Sequence, residues 1–225
     1  MFFVKNSFLS AMILLGMIAG SMLMTFACSK LLTSTVLKGV SSSYIMELPP
    51  YRKPKVLRLI GDTVREKVIF VLLRAVVVAA PAGLIIWVLA NISVGDASLL
   101  GRIAEVLNPI GQFLGMDGVM LLAFILGFPA NEIVIPIALM VYLSTGELSD
   151  YSSLESLKTI LVDNGWTWVT ALCVCVFSMF HFPCSTTLLT IYKETRSIKW
   201  SALSVLVPLM AGVVCCALIN LISKI

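Results

Sequence analysis

One carboxylate stands where an apolar chain can least accommodate it. Glu132 ends the hexapeptide Gly127-Phe128-Pro129-Ala130-Asn131-Glu132, which interrupts the otherwise apolar run Val119–Leu143. An ionised side chain in hydrocarbon costs roughly 2.5–3.5 kcal/mol on insertion scales unless it faces a polar cavity or a cation. Glycine admits unusual backbone angles and proline removes an amide donor, so the hexapeptide breaks a helix. Irregular backbone at membrane depth survives only when it is buried in protein or lines a watery path. Half-helix ends at such breaks present unpaired amides and carbonyls to solutes in transporters. The competing reading is structural, with Glu132 paired to Arg74 inside a helix bundle.

A second break, His181-Phe182-Pro183-Cys184-Ser185-Thr186-Thr187, carries different chemistry. Proline ends the preceding helix, and Ser185 or Thr186 is placed to cap a short one after it. His181, Cys184 and Ser185 are spaced i, i+3, i+4, which on a helix sets them on one face. Imidazole, thiolate and carboxylate together suit a borderline divalent metal such as Fe²⁺. The bland alternatives are a thiol that packs as a small hydrophobe and a histidine satisfied within the core. Cys173, Cys175, Cys28 and the pair Cys215-Cys216 read as packing residues.

The elements that must position these residues follow from composition. Of 225 residues, 59% are hydrophobic and 12% charged, and mean hydropathy is +1.02. A soluble domain carries about 25% charge, so this chain cannot cover itself with polar surface. That composition also excludes disorder, collagen-like repeats and a disulfide-stapled secreted module. A net charge of +4 sits beside the hydrophobic segments, which favours anionic lipid over nucleic acid as its partner.

A hydrocarbon core of about 30 Å takes around 20 helical residues. Four runs meet that length: Phe8–Cys28, Val68–Ala90 with Arg74 inside it, Trp166–Phe182 and Ser201–Leu221. At 21 residues the first exceeds the h-region of a signal peptide and reads as a retained span. The expected fold is an all-α polytopic membrane bundle in one domain, its spans at 8–28, 68–90, 166–182 and 201–221 and a broken or re-entrant pair at 119–143. Eight basic residues between Ser29 and Lys67 place that segment in the cytoplasm. Within it, Glu47-Leu48-Pro49-Pro50-Tyr51-Arg52 opens an amphipathic interfacial helix, so that 44–67 lies along the inner leaflet. Asn91–Gly118 and Ser144–Gly165, each with one basic residue, read as external loops, and Pro183–Trp200, with three, as internal. Two consecutive external loops cannot be joined by one crossing. Val119–Leu143 should therefore enter and leave on the same side, its halves Val119–Leu126 and Ile133–Leu143 each too short to span, the alternative being a single kinked span.

Three co-linear stretches resemble the bacterial ferrous iron transporter B family: ELPPYRKP (Glu47–Pro54), SLLGRIAEVLNPIGQFLGMDG (Ser98–Gly118) leading into GFPANEIVIP (Gly127–Pro136), and FPCSTTLLTIYKET (Phe182–Thr195). The likeness covers nearly the whole chain and implies gate-type helical repeats in a multi-pass protein of the bacterial inner membrane that imports Fe²⁺. It implies that this chain matches the C-terminal part, with the last helix of a first gate and a whole second gate, and that a GTPase and first-gate chain is its partner. Fe²⁺ is then cargo, and no permanently bound cofactor is expected. Cys184 matches the family's Pro-Cys gate motif and Glu132 the acidic position of the other motif. Asn131 stands where the family pattern often has lysine, which leaves Glu132 freer to meet a cation. Ser185 and His181 join this metal-facing set on spacing alone. The 225 residues contain no Gly-x-x-x-x-Gly-Lys-[Ser/Thr] phosphate loop, so the chain is expected to be a transporter component and not an enzyme. A gate protein for another solute, such as a nucleoside hydrogen-bonded by Glu132 and Asn131, an inert split subunit, and a homo-oligomer remain open alternatives.

Overall fold

The computed structural model describes residues 7–35, 61, 63–94, 97–146 and 154–224. The ELPPYRKP stretch and nearly all of the expected interfacial helix lie outside the described residues. Helices dominate: α1 (Ser7–Thr35), α2 (Phe70–Asn91), α3 (Leu99–Phe113), α4 (Gly118–Leu126), α5 (Val134–Leu143), α6 (Leu154–Asp163), α7 (Trp168–Phe180), α8 (Ser185–Thr195) and α9 (Ile198–Ser223). A π-helical turn, Val64–Ile69, leads into α2. A two-residue ladder pairing Ser93–Val94 with Ala97–Ser98 leads into α3.

Four helical stretches are long and apolar enough to cross a membrane: Phe8–Thr35, Val71–Asn91, Trp168–Thr195 and Ile198–Ser223. Their large apolar side chains are largely exposed, as with Phe26 at 70% and Val77 at 70%. In water this would be an untenable surface; in lipid it is the expected one. Burial concentrates instead on the short helices α4 and α5, where Met120, Ala123 and Ile137 are wholly inaccessible.

These two short helices form a hairpin. Asp117 caps α4, its Oδ1 accepting from the Met120 N–H at 3.1 Å, while its Oδ2 accepts a short hydrogen bond from the hydroxyl of Tyr142, near the end of α5. The Trp166 indole N–H donates to the same Tyr142 oxygen at 2.9 Å. The start of α4 and the end of α5 therefore lie side by side, and α4 at about 13 Å long reaches less than halfway through a bilayer core.

Other contacts define the face on which this mouth lies. The amide nitrogen of Asn220, at the end of α9, donates to the carbonyls of Gln112 and Phe113 at 2.8 and 3.0 Å. Asn91, closing α2, donates to the Gly146 carbonyl at 3.0 Å. The chain leaves the mouth through α7, passes through α8 to the opposite face, and returns through α9.

Two stretches expected as loops contain helices. In 91–118, α3 buries Leu100, Ala104 and Gly111 along one face, a helical period that the charges Arg102 and Glu105 interrupt on the other. Val106 and Phe113 remain 77% and 65% exposed, so α3 is an amphipathic helix, bent 105° from α4. In 144–165, α6 places Leu157 and Leu161 in the core. Beyond the expected span 166–182, α7 is followed by α8, and the two together make the broken stretch Trp168–Thr195.

The α3–α4 elbow depends on a glycine. A Cβ on Gly118 would lie 2.0 Å from the Ala104 carbonyl oxygen and 2.7 Å from the Asn108 nitrogen, both backbone atoms. Gly118→Ala should force the two helices apart and sharply lower the yield of monodisperse protein in detergent, whereas Gly16→Ala, with nothing within 4 Å of the new methyl, should leave yield and thermal midpoint unchanged.

Candidate functional site

The first break follows from its local sequence. The N–H of Gly127 bonds to the Ala123 carbonyl at 2.8 Å and that of Ala130 to Gly127 at 3.0 Å, so α4 winds down through turns. Any Cβ on Gly127 would meet the Val134 side chain at 2.5 Å; only glycine lets α5 fold back this closely. A single 3₁₀ turn, Asn131–Ile133, then feeds α5.

The second break is extended backbone. The His181 N–H closes α7 on the Phe177 carbonyl at 2.7 Å, its ψ turns to 168°, and Cys184 stays extended at φ −62°, ψ 159° before α8 begins. Pro183 cannot donate a backbone hydrogen bond, which fits a segment outside any helix.

These two breaks dock on each other. The Ser185 N–H, an orphan donor at the start of α8, bonds to the Phe128 carbonyl at 3.0 Å, and the Ser185 hydroxyl donates to the Pro129 carbonyl at 3.4 Å. Ser185 is 8% exposed. Around this link the rings of Phe128 and Phe182 lie 5.5 Å apart, those of Phe124 and Phe177 4.8 Å, and Phe124 and His181 5.6 Å. An aromatic collar thus surrounds the place where the backbone is irregular.

Each anticipated residue has a definite placement. Cys184 is half-buried, its sulfur 3.1 Å from the Thr186 hydroxyl and 3.2 Å from that of Thr187. In each pair either atom can be the donor. The His181 Nδ1 lies 2.9 Å from the Ser178 carbonyl, which can only accept, so in the neutral ring Nδ1 carries the proton and Nε2 presents its lone pair. That Nε2 is buried and has no partner among the described residues. Glu132 and Asn131 are exposed, and neither has an ion pair among the described residues, where the only one is Arg102–Glu105. The Arg74 side chain falls outside what is described.

The shared helical face expected for His181, Cys184 and Ser185 does not form: Pro183 keeps His181–Cys184 extended, and α8 starts only at Ser185. Among the described residues no three His, Cys, Asp or Glu side chains come together as a metal cage. What the fold does assemble is one junction, the Phe128–Pro129 carbonyls against Ser185, with Cys184 and His181 on one side of it and Asn131 and Glu132 following the other. Ion transfer there would use sparse ligands with waters retained. Spacing also passed over the Asp117–Tyr142–Trp166 staple, although aspartate directly before an apolar run is an N-cap signature.

Ser185 occupies the first position of α8, where proline is tolerated because no helical partner awaits its N–H. Ser185→Pro should therefore keep α8 and delete the link to Phe128, lowering stability by about 1–2 kcal/mol; Ser185→Ala, losing only the long hydroxyl contact, should cost less than about 1 kcal/mol. Thermal unfolding in detergent reads both.

Comparison with known proteins places the arrangement. Residues 72–198 match the gate family, described as nucleoside recognition, and residues 14–65 match the ferrous iron transport protein B C terminus. A Fe(2+) transporter of Staphylococcus aureus is 29% identical over 223 residues, covering 95% of this chain and 31% of the relative. Its counterpart in Synechocystis is 30% identical over 176 residues, covering 75% and 26%, and that of Leptospira biflexa is 29% identical over 214 residues, covering 88% and 30%. No solved structure matches. The chain spans about a third of the length of the curated relatives it matches. With a gate match across more than half its length and iron-transporter matches end to end, the chain is a multi-pass membrane protein that belongs to the ferrous iron transporter B family, in its C-terminal membrane portion.

Proposed function

We propose that this chain is the permease portion of a ferrous iron uptake system in the bacterial inner membrane. The observation that carries the reading is the docking of the two breaks through Ser185 N–H and the Phe128 carbonyl at 3.0 Å. It brings the Cys184 motif and the Glu132 motif to one level of the bundle, where both helices are interrupted. The curated relatives are named as Fe(2+) transporters, which favours iron over a nucleoside as cargo.

Orientation follows from charge. Lys193, Arg196 and Lys199 cluster at the turn between α8 and α9, which sets that face in the cytoplasm and the hairpin mouth outside. Fe²⁺ then descends from the mouth to the junction and leaves past α8. Cys184 supplies a soft ligand, His181 an imidazole lone pair, and Glu132 with Asn131 harder oxygens; Ser185 serves mainly as the clamp, because its hydroxyl is engaged with Pro129. Binding by one or two protein groups at a time keeps release fast, as conduction requires. The GTPase and first gate come from a partner chain, and the basic segment rests on anionic lipid.

Cys184→Ser and Glu132→Gln should each lower Fe²⁺ uptake roughly tenfold, the effect of about 1.4 kcal/mol per lost ligand, with membrane insertion unchanged. Uptake of radioactive iron into cells that supply the partner chain measures this; unchanged uptake in both variants removes the mechanism. Extraction from native membrane should bring the GTPase chain along.

A further inference from the structure

At the mouth of the hairpin lies an open polar bowl of about 430 Å³. It is the place where α3 ends, α4 and α7 begin and α6 and α9 end, and its wall includes Asn108, Gln112, Asp117, Asn164, Thr170 and Asn220. Asp117, which caps α4 and accepts from Tyr142, also lines this bowl. Its surroundings add more.

Part of the wall presents oxygen acceptors. Asn220 spends its amide nitrogen on the Gln112 and Phe113 carbonyls, and Asn164 spends its own on the Ile160 carbonyl at 2.8 Å. Asn220 is thereby left with its amide oxygen alone, whereas Asn164 keeps its oxygen and one N–H. Asp117 is half-buried, and among the described residues no cation lies within ion-pair distance of it. The nearest balancing charge on the wall is Lys224, on the exposed rim. A single carboxylate, each oxygen already accepting one hydrogen bond and keeping a further lone pair, with amide oxygens beside it and room for water, suits a hard divalent cation that keeps most of its hydration shell. The wall holds no thiolate or imidazole, and its one sulfur is the thioether of the buried Met116.

We propose that this bowl is an outer capture site for a hydrated divalent cation, held through water by Asp117 and the oxygens of Asn164 and Asn220, ahead of the junction at Cys184. The site rests on the transport reading above for its purpose but not for its chemistry. Lys224 sets the affinity from the rim: it opposes the cation, so its removal strengthens binding while loss of the Asp117 charge weakens it.

The structure also provides a reporter. Trp166 is 7% exposed and joined through Tyr142 to Asp117, whereas Trp87, Trp168 and Trp200 are exposed at 55%, 63% and 38%, so phenylalanine can replace those three. In that single-tryptophan chain in detergent, Mn²⁺ should quench Trp166 saturably. Asp117→Asn, which retains a capping oxygen, should raise the half-quenching concentration by roughly fivefold, the factor that about 1 kcal/mol of charge attraction produces. Lys224→Gln should lower it by a similar factor. Quenching that never saturates, or one indifferent to both substitutions, overturns the proposal. Because Lys224→Gln touches no structural hydrogen bond of the staple, it decides the matter even where Asp117→Asn fails to fold. Cation binding here and iron uptake are separate readouts: absence of quenching with Cys184-dependent uptake intact removes the bowl alone, and quenching without any uptake removes the transport reading alone.

Discussion

A backbone amide that leaves a helix inside hydrocarbon must find an acceptor within the protein, because no water is there to take it. Among the described residues, two breaks in helices are joined to each other by such a bond. The Ser185 N–H, first of the orphan donors of α8, meets the Phe128 carbonyl, left over from the turn after α4. Other contacts brace the hairpin on which that meeting depends. The mouth staple of Asp117, Tyr142 and Trp166 holds the hairpin shut at one end, and Gly118 lets α3 lie tightly across its base.

That constraint explains the unusual distribution of burial. Long helices meet lipid and need no polar cover, so α1, α2 and α9 display their apolar side chains. The short helices flank the irregular backbone and are wrapped by the rest, which is why Met120, Ala123 and Ile137 are fully enclosed. A polar junction inside a protein shell, and not in the lipid itself, is the only location where a passing cation could exchange water for ligands at tolerable cost. The same geometry argues against a tight metal site: donors come from extended backbone on two separate segments, and such segments offer one or two groups at once.

Much of this was legible in the chain. The membrane class followed from missing charge, and the breaks followed from Gly127, Pro129 and Pro183. The parity of basic residues around Val119–Leu143 anticipated a segment whose ends lie together, and the Asp117–Tyr142 contact joins those ends. Other features were hidden for physical reasons. The amphipathic α3 is too polar to register as a span and too regular to be a loop, because its buried face of Leu100, Ala104 and Gly111 is narrow and small. His181, Cys184 and Ser185 share a helical spacing but not a helix, since a proline between them overrides periodicity. The contact between Ser185 and Phe128 bridges residues far apart in sequence and leaves no local trace.

For the proposed iron path to work, the junction around Cys184 must be reached by water and by metal in the folded, membrane-embedded protein. The direct measurement is alkylation of Cys184 by a small membrane-impermeant thiol reagent, in a chain whose other five cysteines are replaced by alanine and reconstituted in vesicles. Cys184 should be modified, Fe²⁺ or Cd²⁺ should slow the modification, and Glu132→Gln should weaken this protection. A Cys184 that stays unmodified until the protein is unfolded, or one modified at the same rate with and without metal, would contradict the proposed path.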